Sequence, residues 1–313
     1  MSPITYDLIV IGAGPSGLTA ALYGHRSGLT VLILGGETPG GQVTLHHKVE
    51  NYPGFPGGVS GAELMVRWLK QVADETGSMP ILQEVTRVDF SRQVKRVFVG
   101  SESHGARTVV VATGSRPRRL GVTGEREFQG KGVYYCATCD APLLRNMKSR
   151  RAVVVGGGDT AAHTALALLP HADTVTVVTR KSEFGAKPVL ADRLLTESKA
   201  KVLCRHSVSA IVGEQSVAGL ALENMETGRT EELPVEAVFV GVGQIPVTDF
   251  LNGALELNEE GCIVTDNLLK TSQEGVFAAG DVRATPLRQI LTAAADGALA
   301  AHGAAQYLRL IRS

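Results

Sequence analysis

The most reactive residue pattern in the sequence is Cys136-Ala-Thr-Cys139, followed directly by Asp140. A zinc site would need two further Cys or His ligands, preferably as a second pair. The other two cysteines, Cys204 and Cys262, stand alone, so no metal site is expected. Two inert core thiols are the bland alternative. A redox disulfide fits the spacing best: one sulfur takes up electrons and the other exchanges with a disulfide outside the chain. Asp140 then has two candidate roles, moving the proton of a leaving thiolate or capping a helix start.

A second kind of chemistry lies in glycine turns. Gly12-Ala-Gly14-Pro15-Ser16-Gly17 follows the apolar run Leu8–Ile11 and precedes a helical stretch, Leu18–Ser27, with a further strand at Thr30–Leu34. In this context Gly12 permits the tight turn, Gly14 lets backbone approach a pyrophosphate, and Gly17 lets helix pack on strand. The helix N-terminus then offers unpaired N–H groups to phosphate. No acid ends the second strand; Gly35 and Gly36 stand there, and Glu37 is the nearest candidate for a ribose contact. A similar unit recurs 144 positions later: strand Ala152–Val155, Gly156-Gly-Gly158-Asp159-Thr160-Ala161, a helix to about Leu169, and strand Thr174–Val178. One such fingerprint is weak; two, each between strand and helix, indicate two nucleotide-binding domains.

The elements that position these residues follow from the remaining pattern. Thr108–Val111 reads as a strand running into Ala112-Thr113-Gly114, Glu236–Val242 as a strand ending at Gly243, and Val276–Ala279 as one ending at Gly280-Asp281. The chain closes with a helical stretch, Gln289–Leu308. The expected fold is α/β with two Rossmann-like dinucleotide-binding domains, the second inserted in the first: residues 1–118 plus 248–313, and 119–247. Ser115–Leu120 and Gly243–Thr248 are the expected connections.

Composition agrees. The 313 residues are 44% hydrophobic and 20% charged, with 36 glycines, as in a globular α/β chain. Formal net charge is zero and aromatics are 5%, which argues against a nucleic-acid binder. No uncharged apolar run reaches the roughly 18 residues that span a bilayer, and the start shows no basic leader. A cytoplasmic protein without a membrane partner is expected.

Gly132-Val-Tyr-Tyr-Cys136-Ala-Thr-Cys139-Asp140 resembles the active-site stretch of low-molecular-weight thioredoxin reductases. Gly12–Gly17, Pro39-Gly-Gly41-Gln42, Glu50-Asn51-Tyr-Pro53-Gly54, Ala112–Gly114, Gly156–Ala161, Gly280-Asp281 and Arg288-Gln289 match that family in order, over nearly the whole chain. The resemblance implies an oxidoreductase acting on a sulfur group: a homodimeric FAD flavoprotein that reduces thioredoxin or a thioredoxin-like protein, with domain rotation during turnover. It implies flavin contacts at Gly12, Gly14, Pro15, Ser16, Gly17, Gly36, Glu37, Gly41, Gln42, Asn51, Ala112, Thr113, Gly114, Asp281, Arg288, Gln289 and Ile290. It implies nicotinamide-dinucleotide contacts at Gly156, Gly158, Asp159, Thr160, Arg180 and Lys181. Cys139 would take electrons from the flavin, Cys136 would attack the protein disulfide, and Asp140 matches the family's acid.

The chain departs from the family at its NADPH signature, His-Arg-Arg-x-x-x-Arg. Here the run is Thr179-Arg180-Lys181-Ser-Glu-Phe-Gly185. Lys181 is a point charge where Arg gives a planar fork for phosphate, and Gly185 carries no charge; a positive φ there would strain any side chain put back. His163 and Thr164 replace the family's glutamates in the following helix. The expected donors are therefore NAD(P)H at a site with a degraded 2′-phosphate contact, or ferredoxin, which serves some members of the family. Others run as dithiol oxidases using oxygen, and a non-catalytic flavin-binding sensor is the remaining alternative. Between Arg116 and Arg151 nine Lys/Arg face three acids, a bias that would steer an acidic partner. His46 and His47 follow Gly41-Gln42 closely and read as positional or surface residues.

Overall fold

The structure, a computed structural model, describes residues 5–46 and 48–312; the expectation for His47 lies outside them. In chain order the strands are β1 (Thr5–Ile11), β2 (Val31–Leu34), β3 (Arg87–Asp89), β4 (Lys95–Val99), β5 (Glu102–Val111), β6 (Ser115–Pro117), β7 (Val133–Tyr134), β8 (Arg151–Val155), β9 (Thr174–Val178), β10 (Ala200–Leu203), β11 (His206–Gly213), β12 (Val217–Asn224), β13 (Thr230–Pro234), β14 (Ala237–Val240), β15 (Gln244–Pro246) and β16 (Val276–Ala278). The α-helices are α1 (Pro15–Arg26), α2 (Gly61–Thr76), α3 (Ala137–Asp140), α4 (Asp159–Leu168), α5 (Pro188–Leu195) and α6 (Ile290–Arg312). Among the described residues no helix is long and apolar enough to cross a membrane. The chain divides into two units: one up to Arg116 and from Ile245 onward, the other Pro117–Gln244. β6 and β15, which pair with each other, carry the chain across that division.

The first unit is built on a sheet of order β2-β1-β5-β4-β3, with β16 also on β5. β1 runs parallel to β2 and β5, and β16 parallel to β5. Opposite β1, β5 is long enough to serve two further neighbours: Glu102–Ala106 pairs with β4 and Val109–Val111 with β16. The run Leu8–Ile11 is apolar because both faces are covered. Leu8 and Val10 pack into the cluster containing α1 and α6, while Ile9 and Ile11 face Phe90, Val97, Phe250 and Ile263. α6 closes on α1 through Ala300, Ala301 and Ala304 against Leu18, Ala20 and Ala21. A Cβ at Gly297 would collide with the carbonyl of Ser16, so this approach requires glycine. The helix runs four residues past the expected Leu308.

The second unit has a parallel sheet of order β10-β9-β8-β14-β7 and a separate antiparallel sheet, β11-β12-β13. β14 ends at Val240, two residues short of the expected strand, although Gly241 still donates to the carbonyl of Val155. Glu125 is 1% exposed. Its carboxylate accepts bonds from the amides of Leu120 (2.9 Å) and Gly121 (2.8 Å) and from the Tyr135 hydroxyl (2.9 Å). Those bonds fasten the segment that enters this unit to the strand preceding the cysteines. Burial, and then the bond to Glu125, push the Tyr135 phenol up.

Candidate functional site

The first unit gathers one set of predicted residues at the carboxyl ends of its parallel strands, where ligands of open α/β sheets bind. A Cβ on Gly12 would collide with the carbonyl of Ala112, and one on Gly17 with the carbonyl of Gly12. Both glycines are therefore there for close packing. Gly14, the N-cap of α1, would meet nothing within 4 Å, so its open side faces free space. No side chain caps α1 and no acid lies in its first turn, so its N–H groups are left for an anion. Gly40 donates to the carbonyl of Ala13 at 2.8 Å, which brings Gly41 beside Gly14. Gln42 donates to the carbonyl of Ser115, Thr113 to that of Val247 at 2.7 Å, and Asn51 to the Gln289 side chain at 2.8 Å. Ser16 abuts Gly280, which places the turn after β16 on the same crevice.

Asp281 stands in that turn. Burial pushes its carboxyl up to about 6; Arg288 opposes the shift and Asp296 adds to it. Asp296 accepts from the Gly280 amide (3.0 Å) and holds Arg283 through two bonds of 2.7 and 3.1 Å. This clamp ties the turn to α6. Sequence reasoning missed it, because an Arg and an Asp 13 positions apart carry no motif. Arg288 donates to the Cys262 sulfur at 3.5 Å, and its buried Nε has no hydrogen-bond partner. An open helix N-terminus, an orphaned guanidinium nitrogen and a half-buried carboxyl suit a ligand with both phosphates and hydroxyls, so the residues fit a flavin dinucleotide. A cavity of about 350 Å³ between α1, α2 and α6, lined by Leu18, Tyr52, Trp68 and Leu291 among others, contains none of the predicted residues.

The second glycine turn has a different electrostatic character. A Cβ on Gly156 would strike the carbonyl of Gly241, while Gly158, the N-cap of α4, is open. Asp159 lies in the first turn of α4, where a carboxylate competes with an anion. Lys187 offsets it: the Lys187 amide donates to the carboxylate at 2.8 Å and the ammonium lies 3.2 Å away. These contacts hold the Asp159 carboxyl low, the amide bond first. Thr179 is 4% exposed, with its hydroxyl packed over Gly157. Arg180 and Lys181 are exposed and carry no ion pair among the described residues. Gly185 is not at positive φ. The backbone strain expected on substitution there is absent, and the constraint is proximity: a Cβ would sit 2.9 Å from the Lys181 ammonium and 3.1 Å from the carbonyl of Gly157.

Cys136 and Cys139 form a disulfide with Cα atoms 5.3 Å apart. Cys136 is the N-cap of α3, and its sulfur accepts the Cys139 amide at 3.2 Å. Asp140 ends α3, is 7% exposed, and donates its amide to the carbonyl of Cys136 at 2.9 Å. It occupies the N-cap of the following turn, Ala141–Asn146, but its side chain makes no capping bond. Cys136 thus takes the capping role considered for Asp140. Tyr134, whose ring lies tilted against Phe239, has its phenol pushed up by burial and by the Asp140 charge. Cys204 and Cys262 are free.

The profile of the family described as pyridine nucleotide-disulphide oxidoreductase matches residues 6–297. The chain is 41% identical over 308 residues to a thioredoxin reductase of Treponema pallidum (strain Nichols), covering 98% of this chain and 99% of that protein. It superposes on the crystal structure of thioredoxin reductase from Streptococcus pyogenes MGAS5005 with a TM-score of 0.90 at 38% identity, covering 99% and 100% of the two chains. With a ferredoxin-flavin thioredoxin reductase from Clostridium acetobutylicum the TM-score is 0.52 at 28% identity, covering 98% and 99%.

Proposed function

The chain belongs to the pyridine nucleotide-disulphide oxidoreductase family, among its low-molecular-weight thioredoxin reductases, and from that premise we propose that it passes electrons from a nicotinamide dinucleotide to a thioredoxin-like protein. The observation that carries this reading is the Cys136–Cys139 disulfide, with the Cys139 amide on the Cys136 sulfur and Asp140 buried alongside. The first unit is assigned as the FAD domain, held at Gly12–Gly17, Gly41, Gln42, Asn51, Gly114, Asp281 and Gln289. Bound there, FAD supplies a two-electron store between the donor and the disulfide. The second unit is assigned as the nicotinamide-type domain, with Gly156, Gly158, Arg180 and Lys181 toward the nucleotide. As in the family's homodimers, two copies are the proposed assembly.

The chemistry of the reduced pair follows from its setting. An N–H donor on the Cys136 sulfur favours its thiolate. That thiolate attacks one sulfur of the partner's disulfide and forms a mixed disulfide; the other sulfur leaves and takes up a proton, for which Asp140 is the donor. The Cys139 thiolate then attacks the Cys136 sulfur. The Cys136–Cys139 bond re-forms, the partner's second sulfur leaves as a thiolate that takes a proton from solvent, and the partner departs as a dithiol. Two electrons pass outward in each cycle.

Arg180 and Lys181, exposed and free of ion pairs among the described residues, follow β9, and Lys181 lies beside the second glycine turn, which supports the nucleotide as donor. A second reading, ferredoxin as donor, has support from the basic stretch Arg116–Arg151 and from the ferredoxin-dependent structural neighbour. Anaerobic titration of the yellow holoenzyme separates the two. NADPH should bleach the flavin and sustain thioredoxin reduction. Bleaching by reduced ferredoxin, with no response to millimolar NADPH or NADH, would replace the first reading with the second. Bleaching by small dithiols alone would point to an oxidase.

A further inference from the structure

We propose that Arg205 supplies a second planar, phosphate-binding fork beside Arg180, in place of those missing at Lys181 and Gly185, and so sets recognition of the 2′-phosphate of an adenine dinucleotide. The inference rests on the nucleotide-donor reading above. Four non-glycine residues have positive φ among the described residues, and Arg205, at +58°, is one of them. Asn or Gly would occupy this conformation with less strain, so an arginine there suggests a role for its side chain.

The backbone places that side chain at the right edge. Arg205 follows β10, the parallel neighbour of β9, and its amide donates to the carbonyl of Lys181 at 2.9 Å. His206 donates to the carbonyl of Thr179 at 3.0 Å, and Met225 to that of Arg205 at 2.8 Å. Arg205 is thus fastened on one side to the segment that follows β9, where the ribose side of a bound dinucleotide is read, and on the other to the turn after β12. The neighbouring cations are otherwise committed or differently aimed. Lys187 is held by Asp159. The Lys181 side chain passes within 3.6 Å of a Cβ built on Gly157, with its ammonium beside Gly185, so it serves the glycine turn and the pyrophosphate. Arg180 and Arg205 remain for the 2′-phosphate.

Arg205 pairs with Glu226, but both side chains are about half exposed, at 47% and 55%. Such pairs are weak and exchange readily, whereas a guanidinium on a phosphate is a strong, geometrically specific contact. Glu226 therefore acts as a stand-in anion that the 2′-phosphate displaces.

The test is calorimetric binding of NADP⁺ and NAD⁺ to the oxidised holoenzyme. Arg205→Asn keeps the left-handed backbone and removes the fork. It should weaken NADP⁺ about tenfold, the scale of one charge-assisted contact, and leave NAD⁺ within about twofold. Glu226→Gln frees Arg205 and should tighten NADP⁺ without changing NAD⁺. An unchanged NADP⁺-to-NAD⁺ ratio in both variants would overturn the proposal and leave the donor reading intact. Equal binding of both nucleotides by the unaltered holoenzyme would do the same. Binding of neither nucleotide would overturn both.

Discussion

Replacing either cysteine of the 136–139 pair leaves one sulfur where two-electron exchange needs two, so each variant should stop at a mixed disulfide. Cys136→Ser and Cys139→Ser are each expected to abolish thioredoxin reduction while the protein stays yellow. The pair lies in a different unit from the glycine crevice that is proposed to hold the flavin, so the cofactor has no reason to be lost. The variants should differ in one respect. Cys136→Ser retains the sulfur assigned to the flavin side and should show a long-wavelength charge-transfer band on reduction; the same band in Cys139→Ser alone would exchange the two roles. At this scale much was legible, because Cys-x-x-Cys-Asp and the glycine fingerprints are local patterns with a direct physical meaning. Other features were not. Glu125 reads in sequence as one more surface charge, yet it is a buried acceptor of three bonds. Arg205 reads as one more surface cation, because a positive φ leaves no mark on a string of letters.

The turn between β16 and α6 depends on elements far apart in sequence, and its carboxyl reports on that packing. Burial raises the Asp281 carboxyl from 3.8 to about 6, so the folded state holds this proton more tightly than the unfolded chain does. The contribution is fully present below about pH 3.8 and is lost as pH rises through 6. Above pH 6, Asp281→Asn should therefore melt higher than the parent, and its advantage should shrink as the pH falls toward 4. Melting curves of the two flavin-free proteins across that range check this; a constant difference would mean that Asp281 is solvated. The βαβ units of both glycine turns were readable because continuous apolar strands and glycine turns signal themselves. The antiparallel sheet β11-β12-β13 was not, since β13 is Thr-Glu-Glu-Leu-Pro, mostly exposed, with no buried alternation to reveal it. The pairing of β6 with β15 is a long-range fact that neither segment encodes alone.

Across the whole molecule the charges cancel, so any long-range attraction to a partner comes from local imbalance. The segment around the cysteines has one, and the structure sharpens it. Of the three acids between Arg116 and Arg151, Glu125 and Asp140 are buried, which leaves Glu127 as the exposed one. Arg126, Lys131, Arg145 and Lys148 are exposed and carry no ion pair among the described residues, whereas Arg150 is held by Asp173. Arg145 and Lys148 follow the redox pair within a dozen positions and belong to the same unit. A positive surface of this kind raises the encounter rate with an acidic protein, and salt screens it over about 10 Å at 0.1 M. The kcat/KM for an acidic thioredoxin should therefore fall several-fold between about 0.02 and 0.3 M salt, with kcat nearly constant. Arg145→Glu combined with Lys148→Glu should lower kcat/KM about tenfold at low salt and flatten its salt dependence, because the attraction that salt removes is already gone. Reduction of a small uncharged disulfide should be unaffected by either change, since it experiences no steering. A salt profile that is flat for the unaltered enzyme, or equally steep in the double variant, would place the partner's footprint elsewhere on the second unit.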